Sequence, residues 1–409
     1  MKLVVLDPGL DSTAGHHYHL DLVLREQAAA HGLEAVFHGF KGMDPLIEDL
    51  FGARLIFDMH SYARIAGPPE LAPIQNWSVK NGSFYRNLCD GVSGDLQADD
   101  IVLMHTVLGG ELVGLYLWYR GLPEPRPRIC LVLRFPPWFH MAREHHEIAV
   151  ALERYALSLW TEFPADRVMM ACDNAGLAKF YGKLAGFEMP SLPIPIRYPI
   201  LKAEHKRRRD GARPRFVYLG EAREEKGIHL IVDALRRRSP ALDGIDFTIQ
   251  CGRHELLGTL LDEWRTDLPD VDFIDRGLPE DDYLGLLASA DAVLVPYRPD
   301  IYDVRTSHIY LEAVGAGKPV LITAGSWMDL ETVRLGHVAV RAAAFTVDAV
   351  EDALTRLARD WRDLAALGPA AGERCRDYHN PTNFFSGLVG LFDAPAGTGP
   401  KLAENRDSR

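Results

Sequence analysis

Short apolar runs alternate with stretches whose apolar residues recur every three or four positions, and this alternation fills most of the chain. Lys2–Leu6, Ile101–Met104, Ile129–Leu133 and Val168–Ala171 read as buried strands in the first half. Phe216–Leu219, Phe247–Gln250, Val271–Ile274, Ala292–Val295 and Pro319–Ile322 read as buried strands in the second. His19–Ala30, Gly227–Arg237, Leu256–Arg265, Asp281–Ser289 and Thr306–Ala316 carry helical spacing. Strands and helices in this order predict an α/β protein with doubly wound, Rossmann-like parallel sheets covered on both faces.

The pattern breaks between the halves. PSLPIPIRYPI, residues 190–200, holds four prolines, and KAEHKRRRDGARPR follows it. Prolines at this density exclude a regular helix or a central strand. The expected division is a first domain over 1–200, a linker over 201–214 and a second domain over 215–376. A segment over 377–395 and a disordered tail over 396–409 complete it.

Composition narrows the function classes. The 409 residues carry a net charge of −12, which argues against bulk nucleic-acid binding. Lys206–Arg209 is a basic exception, read as a solvated linker or as a weak peripheral contact with an anionic membrane. No apolar run is long enough for a spanning helix. The N-terminal MKLVVLDPGL reads as a strand rather than a leader, because Asp7 interrupts it early. Five scattered cysteines without a CxxC pair disfavour a disulfide framework or zinc knuckle, and a reducing, cytoplasmic setting is expected.

The chemistry concentrates in two loops of the second half. In FVYLGEAREEKGIHLIVDAL, residues 216–235, an apolar run stops at Gly220, and Lys226-Gly227 opens a helix. A helix start presents free N–H groups and positive dipole charge. With Arg223 and Lys226 beside it, this loop suits a phosphate or diphosphate. The alternative is a solvated loop in which Glu221, Glu224 and Glu225 pair with those cations. The loop is neither a Walker A nor a GxGxxG sequence. In VPYRPDIYDVRTSHIYLEAVGAGKPVLIT, residues 295–323, Thr306-Ser307 sits where a helix should begin. Glu312 within that helix suits the two hydroxyls of a ribose, or else a capped or salt-bridged surface.

These two stretches resemble the nucleotide-binding half of the family 4 glycosyltransferases, which have the GT-B fold. Gly220, Lys226 and Gly227 match that family's diphosphate loop. Ser307, Glu312, Ala313, Gly317 and Pro319 match its ribose-holding helix. The resemblance covers roughly residues 215–325 firmly and the rest by the order of elements. Two positions depart from it. Glu221 stands where the family has arginine, so Arg223 is the expected substitute. Val304 stands where a second glutamate is common, beside Asp303.

The resemblance also implies roles in the first half. The turn DPGLDSTAGHHYHLD corresponds to the family's glycine-rich loop, with Gly9, Gly15, His16 and His17 as candidates reaching a cleft between the domains. His105 and Arg134 follow strands on the same side. Phe135, Trp138 and Phe139 offer an apolar acceptor wall or core packing. Asp173 and Asn174 read as helix caps. A metal site among His16, His17 and His19 is not expected, because no carboxylate or cysteine completes a ligand spacing. Phe384, Phe385, Leu388 and Leu391 would dock a last helix on the first domain.

The implied activity is transfer of a sugar from a nucleotide-diphosphate sugar, with retention and without a metal or other cofactor. The acceptor is left open among a saccharide, a lipid-linked glycan and a small molecule. Arg223, Lys226, His105 and Arg134 are the expected catalytic residues. Gly220, Gly227, Thr306, Ser307 and Glu312 are the expected donor contacts. The rivals are a nucleotide-sugar epimerase or glycogen-type phosphorylase on the same fold, and a non-catalytic nucleotide-sugar-binding partner.

Overall fold

The computed structural model describes residues 1–13, 15–92, 96–139, 141–198, 213–252 and 257–392. Residues 201–212 of the expected linker, with Lys206–Arg209, and the expected tail over 396–409 lie outside the described residues. The chain forms two compact units: Met1–Pro195 with the chain from Pro381 on, and Ile196–Asn380.

The first unit is built on a sheet of β1 (Lys2–Asp7), β2 (Glu34–Phe40), β3 (Arg54–Phe57), β4 (Ile101–Val107), β5 (Arg128–Leu133) and β6 (Val168–Cys172). Their order is β3-β2-β1-β4-β5-β6, and all pairs are parallel. Leu3, Val4, Val5 and Leu6 are all buried, so both sheet faces are covered and the strand reads as a continuous apolar run. The helix Pro381–Gly390 buries Phe384, Phe385 and Leu388 in the same core.

The second unit repeats the plan with β7 (Arg215–Tyr218), β8 (Asp246–Gln250), β9 (Asp272–Ile274), β10 (Ala292–Val295), β11 (Val320–Thr323) and β12 (Val340–Ala342). The order is β12-β11-β10-β7-β8-β9, again all parallel. Each sheet reverses direction of growth once, between β1 and β4 and between β7 and β10. Ligands of open parallel sheets bind at such reversals, beyond the carboxyl ends of the strands.

Several elements lay outside the pattern reading. β2 carries Gly39 and a buried His38, and β3 and β12 are short, so none presents a clean apolar run. The helix Val347–Tyr378 contains Pro369. Next to that proline, Gly368 packs backbone to backbone on Gly317, and a Cβ at Gly368 would lie 2.0 Å from the Gly317 carbonyl oxygen. Among the described residues no helix is long and apolar enough to cross a membrane.

Candidate functional site

In the second unit the loop after β7 takes the shape its glycines allow. Gly220 has φ 110° and Gly227 φ 71°, backbone conformations that favour glycine. A Cβ at Gly227 would lie 2.3 Å from the Pro296 carbonyl oxygen, so the loops after β7 and β10 touch there. Gly227 caps the helix Ile228–Arg236 after a short 3-10 turn, Glu224–Lys226. The Gly220 N–H donates to Gln250 Oε1 at 2.6 Å, which ties the loop to the end of β8.

Lys226 Nζ folds back to 3.2 Å from the position of a Gly220 Cβ and lies over the Tyr297 ring, 5.8 Å from its centroid. Among the described residues no hydrogen bond or ion pair engages this ammonium. Burial and then the Arg223 charge pull Lys226 down to about 8, against the pull of Glu221 and Glu225. Arg223 is not an unaccompanied cation: it pairs with Glu221 and lies 3.9 Å from Glu225. Arg298 pairs with Glu224, and its N–H donates to the Glu225 carbonyl at 2.8 Å. The loop thus combines both sequence readings, with the glutamates holding the arginines while Lys226 stays clear of them.

Ser307 caps the helix His308–Gly315, its hydroxyl accepting from the Tyr310 N–H at 3.2 Å, with half-buried Thr306 beside it. Among the described residues no cap or ion pair engages Glu312, and it accepts a hydrogen bond from the Tyr283 hydroxyl. Burial pushes its carboxyl up to about 7. Tyr283, on the helix Glu280–Ser289, carries no signal in the sequence that pairs it with Glu312.

The first unit holds a buried polar chain at the reversal between β1 and β4. β4 runs past Met104 to Val107, so His105 lies within the strand at 1 % exposure rather than beyond its end. His105 Nε2 meets Asp7 Oδ2 at 3.1 Å and Asp21 Oδ1 at 3.0 Å. Burial opposes the charged imidazolium, but the two carboxylates prevail and push His105 up to about 9. On the other side of Asp7, His17 Nδ1 meets both carboxylate oxygens, at 2.8 and 2.9 Å. His17 Nε2 meets the Tyr62 hydroxyl at 2.9 Å. Burial outweighs the Asp7 charge and lowers His17, which holds the ring neutral.

Ligand atoms of Asp7, His17 and His105 all lie within 4.8 Å of one another, so a carboxylate does complete a histidine cluster, contrary to the sequence expectation. The partners come from separate strands and a helix, which no local spacing reveals. The Asp7 oxygens already accept from the Gly9 N–H at 2.8 Å and from both imidazoles. Gly15 has φ 86° and begins the helix His16–Ala30, which places His16 and His17 in its first turn. Arg134 is buried and its Nε lies 3.3 Å from Asp173 Oδ2. Asn174 caps the next helix, accepting from the Leu177 N–H at 2.8 Å.

Residues 223–387 match the family described as glycosyl transferase-like. No curated protein matches the chain in sequence. Among solved structures the chain is similar to sucrose-phosphate synthase from Thermosynechococcus elongatus, with TM-score 0.68, 13% identity and coverage of 96% of this chain and 98% of that one. It is similar to HepE of Anabaena in complex with UDP, with TM-score 0.63, 12% identity and coverage of 96% and 100%. A third likeness is to α,α-trehalose-phosphate synthase (UDP-forming) from Burkholderia xenovorans in complex with glucose-6-phosphate, with TM-score 0.67, 12% identity and coverage of 96% and 100%. Residues 223–387 thus match a glycosyl transferase-like family, and both sheets have the arrangement of these GT-B folds.

Proposed function

We propose that the chain transfers a glycosyl group from a UDP-sugar to a saccharide acceptor, with retention and without a metal ion. The observation that carries this reading is Lys226, a desolvated ammonium at a helix start with no hydrogen bond or ion pair among the described residues. UDP is the nucleotide of choice because it stands in the names of two of the similar structures.

In this reading Lys226 meets the diphosphate and neutralises charge as the glycosidic bond breaks. The N–H groups at the start of Ile228–Arg236 add hydrogen bonds, and Glu312 takes the ribose hydroxyls. Arg223 has a lesser part than its sequence position suggests, because Glu221 already holds it. The leaving phosphate takes the acceptor proton. Cationic side chains and a helix end stand where other enzymes place a metal. The setting is cytoplasmic.

Calorimetric titration with UDP, GDP, ADP and dTDP, with and without magnesium, tests the donor half. UDP is expected to bind without magnesium. Lys226→Ala is expected to weaken it by roughly ten- to a hundredfold, the range for a lost hydrogen bond to a charged group. Equal UDP affinity in Lys226→Ala would remove the diphosphate role. Failure of all four nucleotides would remove the nucleotide-sugar reading.

A further inference from the structure

We propose that Tyr283 is a specificity-determining residue of the donor site. With its proton committed to Glu312, its oxygen accepts one ribose hydroxyl while Glu312 accepts the neighbouring one, and the pair selects a ribonucleotide over its 2′- and 3′-deoxy counterparts. This rests on the donor reading, in which Glu312 serves the ribose, and adds to it a residue and a selectivity.

The pair comes from two helices of the second unit. The helix Glu280–Ser289 follows β9, packs against β7 and carries Tyr283 in its first turn. The helix His308–Gly315 follows β10 and carries Glu312. The sheet reverses its growth between β7 and β10, so both helices border the place where a ligand of such a sheet binds. The Tyr283 O–H donates to Glu312 Oε2, and among the described residues no other hydrogen bond or ion pair engages either side chain. Both residues are half-buried, so they keep access to solvent. Tyr297 joins the pair to the diphosphate loop. Its phenol is close enough to Tyr283 for their charges to interact, and its ring lies 5.8 Å from Lys226 Nζ.

The chemistry of the pair fixes the polarity of its ligand. An ionised carboxylate only accepts. Burial, and then the Glu312 charge, raise the Tyr283 phenol well above its ordinary range, so it keeps its proton and donates it. That proton is spent on Glu312 Oε2. The Tyr283 oxygen and Glu312 Oε1 are left as two adjacent acceptors. They match two donors on neighbouring carbons, as the vicinal 2′ and 3′ hydroxyls of a ribose provide. A glutamate by itself would offer each hydroxyl one oxygen. Here Oε2 is engaged, so the tyrosine takes part in the contact. A deoxyribose leaves one acceptor desolvated and unpaired, and a site built to bind a hydroxyl discriminates against its loss.

Calorimetry on the full chain would compare UDP, 2′-deoxy-UDP and 3′-deoxy-UDP, with wild type and Tyr283→Phe, and with a melting temperature to show that the variant folds. Wild type is expected to bind UDP about tenfold tighter than either analogue. Tyr283→Phe keeps the ring and is expected to weaken UDP about tenfold while leaving one deoxy analogue unchanged. Discrimination is then erased at one hydroxyl and kept at the other. Equal wild-type affinity for all three nucleotides overturns the proposal. So does a variant that weakens all three alike, which would make Tyr283 a support for Glu312 without contact to the ribose. A variant that binds UDP more tightly overturns it as well, since Tyr283 would then compete with the ribose for Glu312. Any of these results with UDP bound removes this proposal alone, whereas no UDP binding by wild type removes the donor reading and this proposal with it.

Discussion

Gly9 illustrates how a side chain in this protein depends on the absence of another. The His17 imidazole fills the space a Cβ would need, with Nε2 at 2.5 Å and Nδ1 at 2.8 Å from the ideal position. Gly9→Ala must therefore push the ring off Asp7 or shift the turn. We expect a loss of about 1–3 kcal/mol in chemical denaturation, the usual cost of overpacking. Wild-type stability in that variant would mean that the turn relaxes freely. At this scale the sequence was legible where glycine and charge adjoin an apolar run, as at Gly220, Lys226 and Gly227. Asp7, Asp21 and Tyr62 were not legible as partners of His17 and His105, because the fold joins them across β1, β4, a helix and a distant loop. Arg223 was legible as a cation that Glu221 could claim, and the structure shows that pair.

Elements were readable in proportion to their apolar continuity. The central strands of both sheets are buried on both faces and announce themselves, whereas β2, β3 and β12 do not. The loop after β7 carries its own pH dependence. Lys226 titrates at about 8, so its ammonium is present below that pH and lost above it. A bound diphosphate favours the charged form. UDP affinity should therefore fall as pH rises through 8, and calorimetry at pH 7 and pH 9 would show it. Lys226→Arg should bind with little change between those pH values, since arginine stays charged. A wild-type affinity that is flat across this range would count against direct contact between Lys226 and the phosphates.

Across the whole molecule, one buried histidine and several buried carboxyls are raised, while His17, His38, His337 and Lys226 are lowered. His105 is raised to about 9, Glu153 to about 8, and Asp21, Glu111 and Glu312 to about 7, with burial raising each of these carboxyls. A histidine raised in this way adds stability that is fully present below its unfolded value and is lost as pH climbs through about 9. A carboxyl raised to 7 or 8 gives the same sign over its own range, because the folded chain holds the proton longer. The melting temperature should therefore fall as pH rises from about 6.5 to 8, above which the lowered Lys226 works in the opposite direction. His105→Gln should flatten that slope, and an unchanged slope would mean that the imidazole is not charged in the folded chain. The repeated strand order of the two units was legible as alternation, but the buried ionic chain was not, since patterning reports which residues are hidden and not which hidden residues meet. The contact between Gly227 and Pro296 has a further consequence. Two loops that share one backbone contact, reinforced by the Arg298 N–H to the Glu225 carbonyl, must travel together. On the proposed reading, a donor entering there would find a mould already set, so little of its binding energy would go into ordering the chain, and a side chain added at Gly227 would unseat both walls at once.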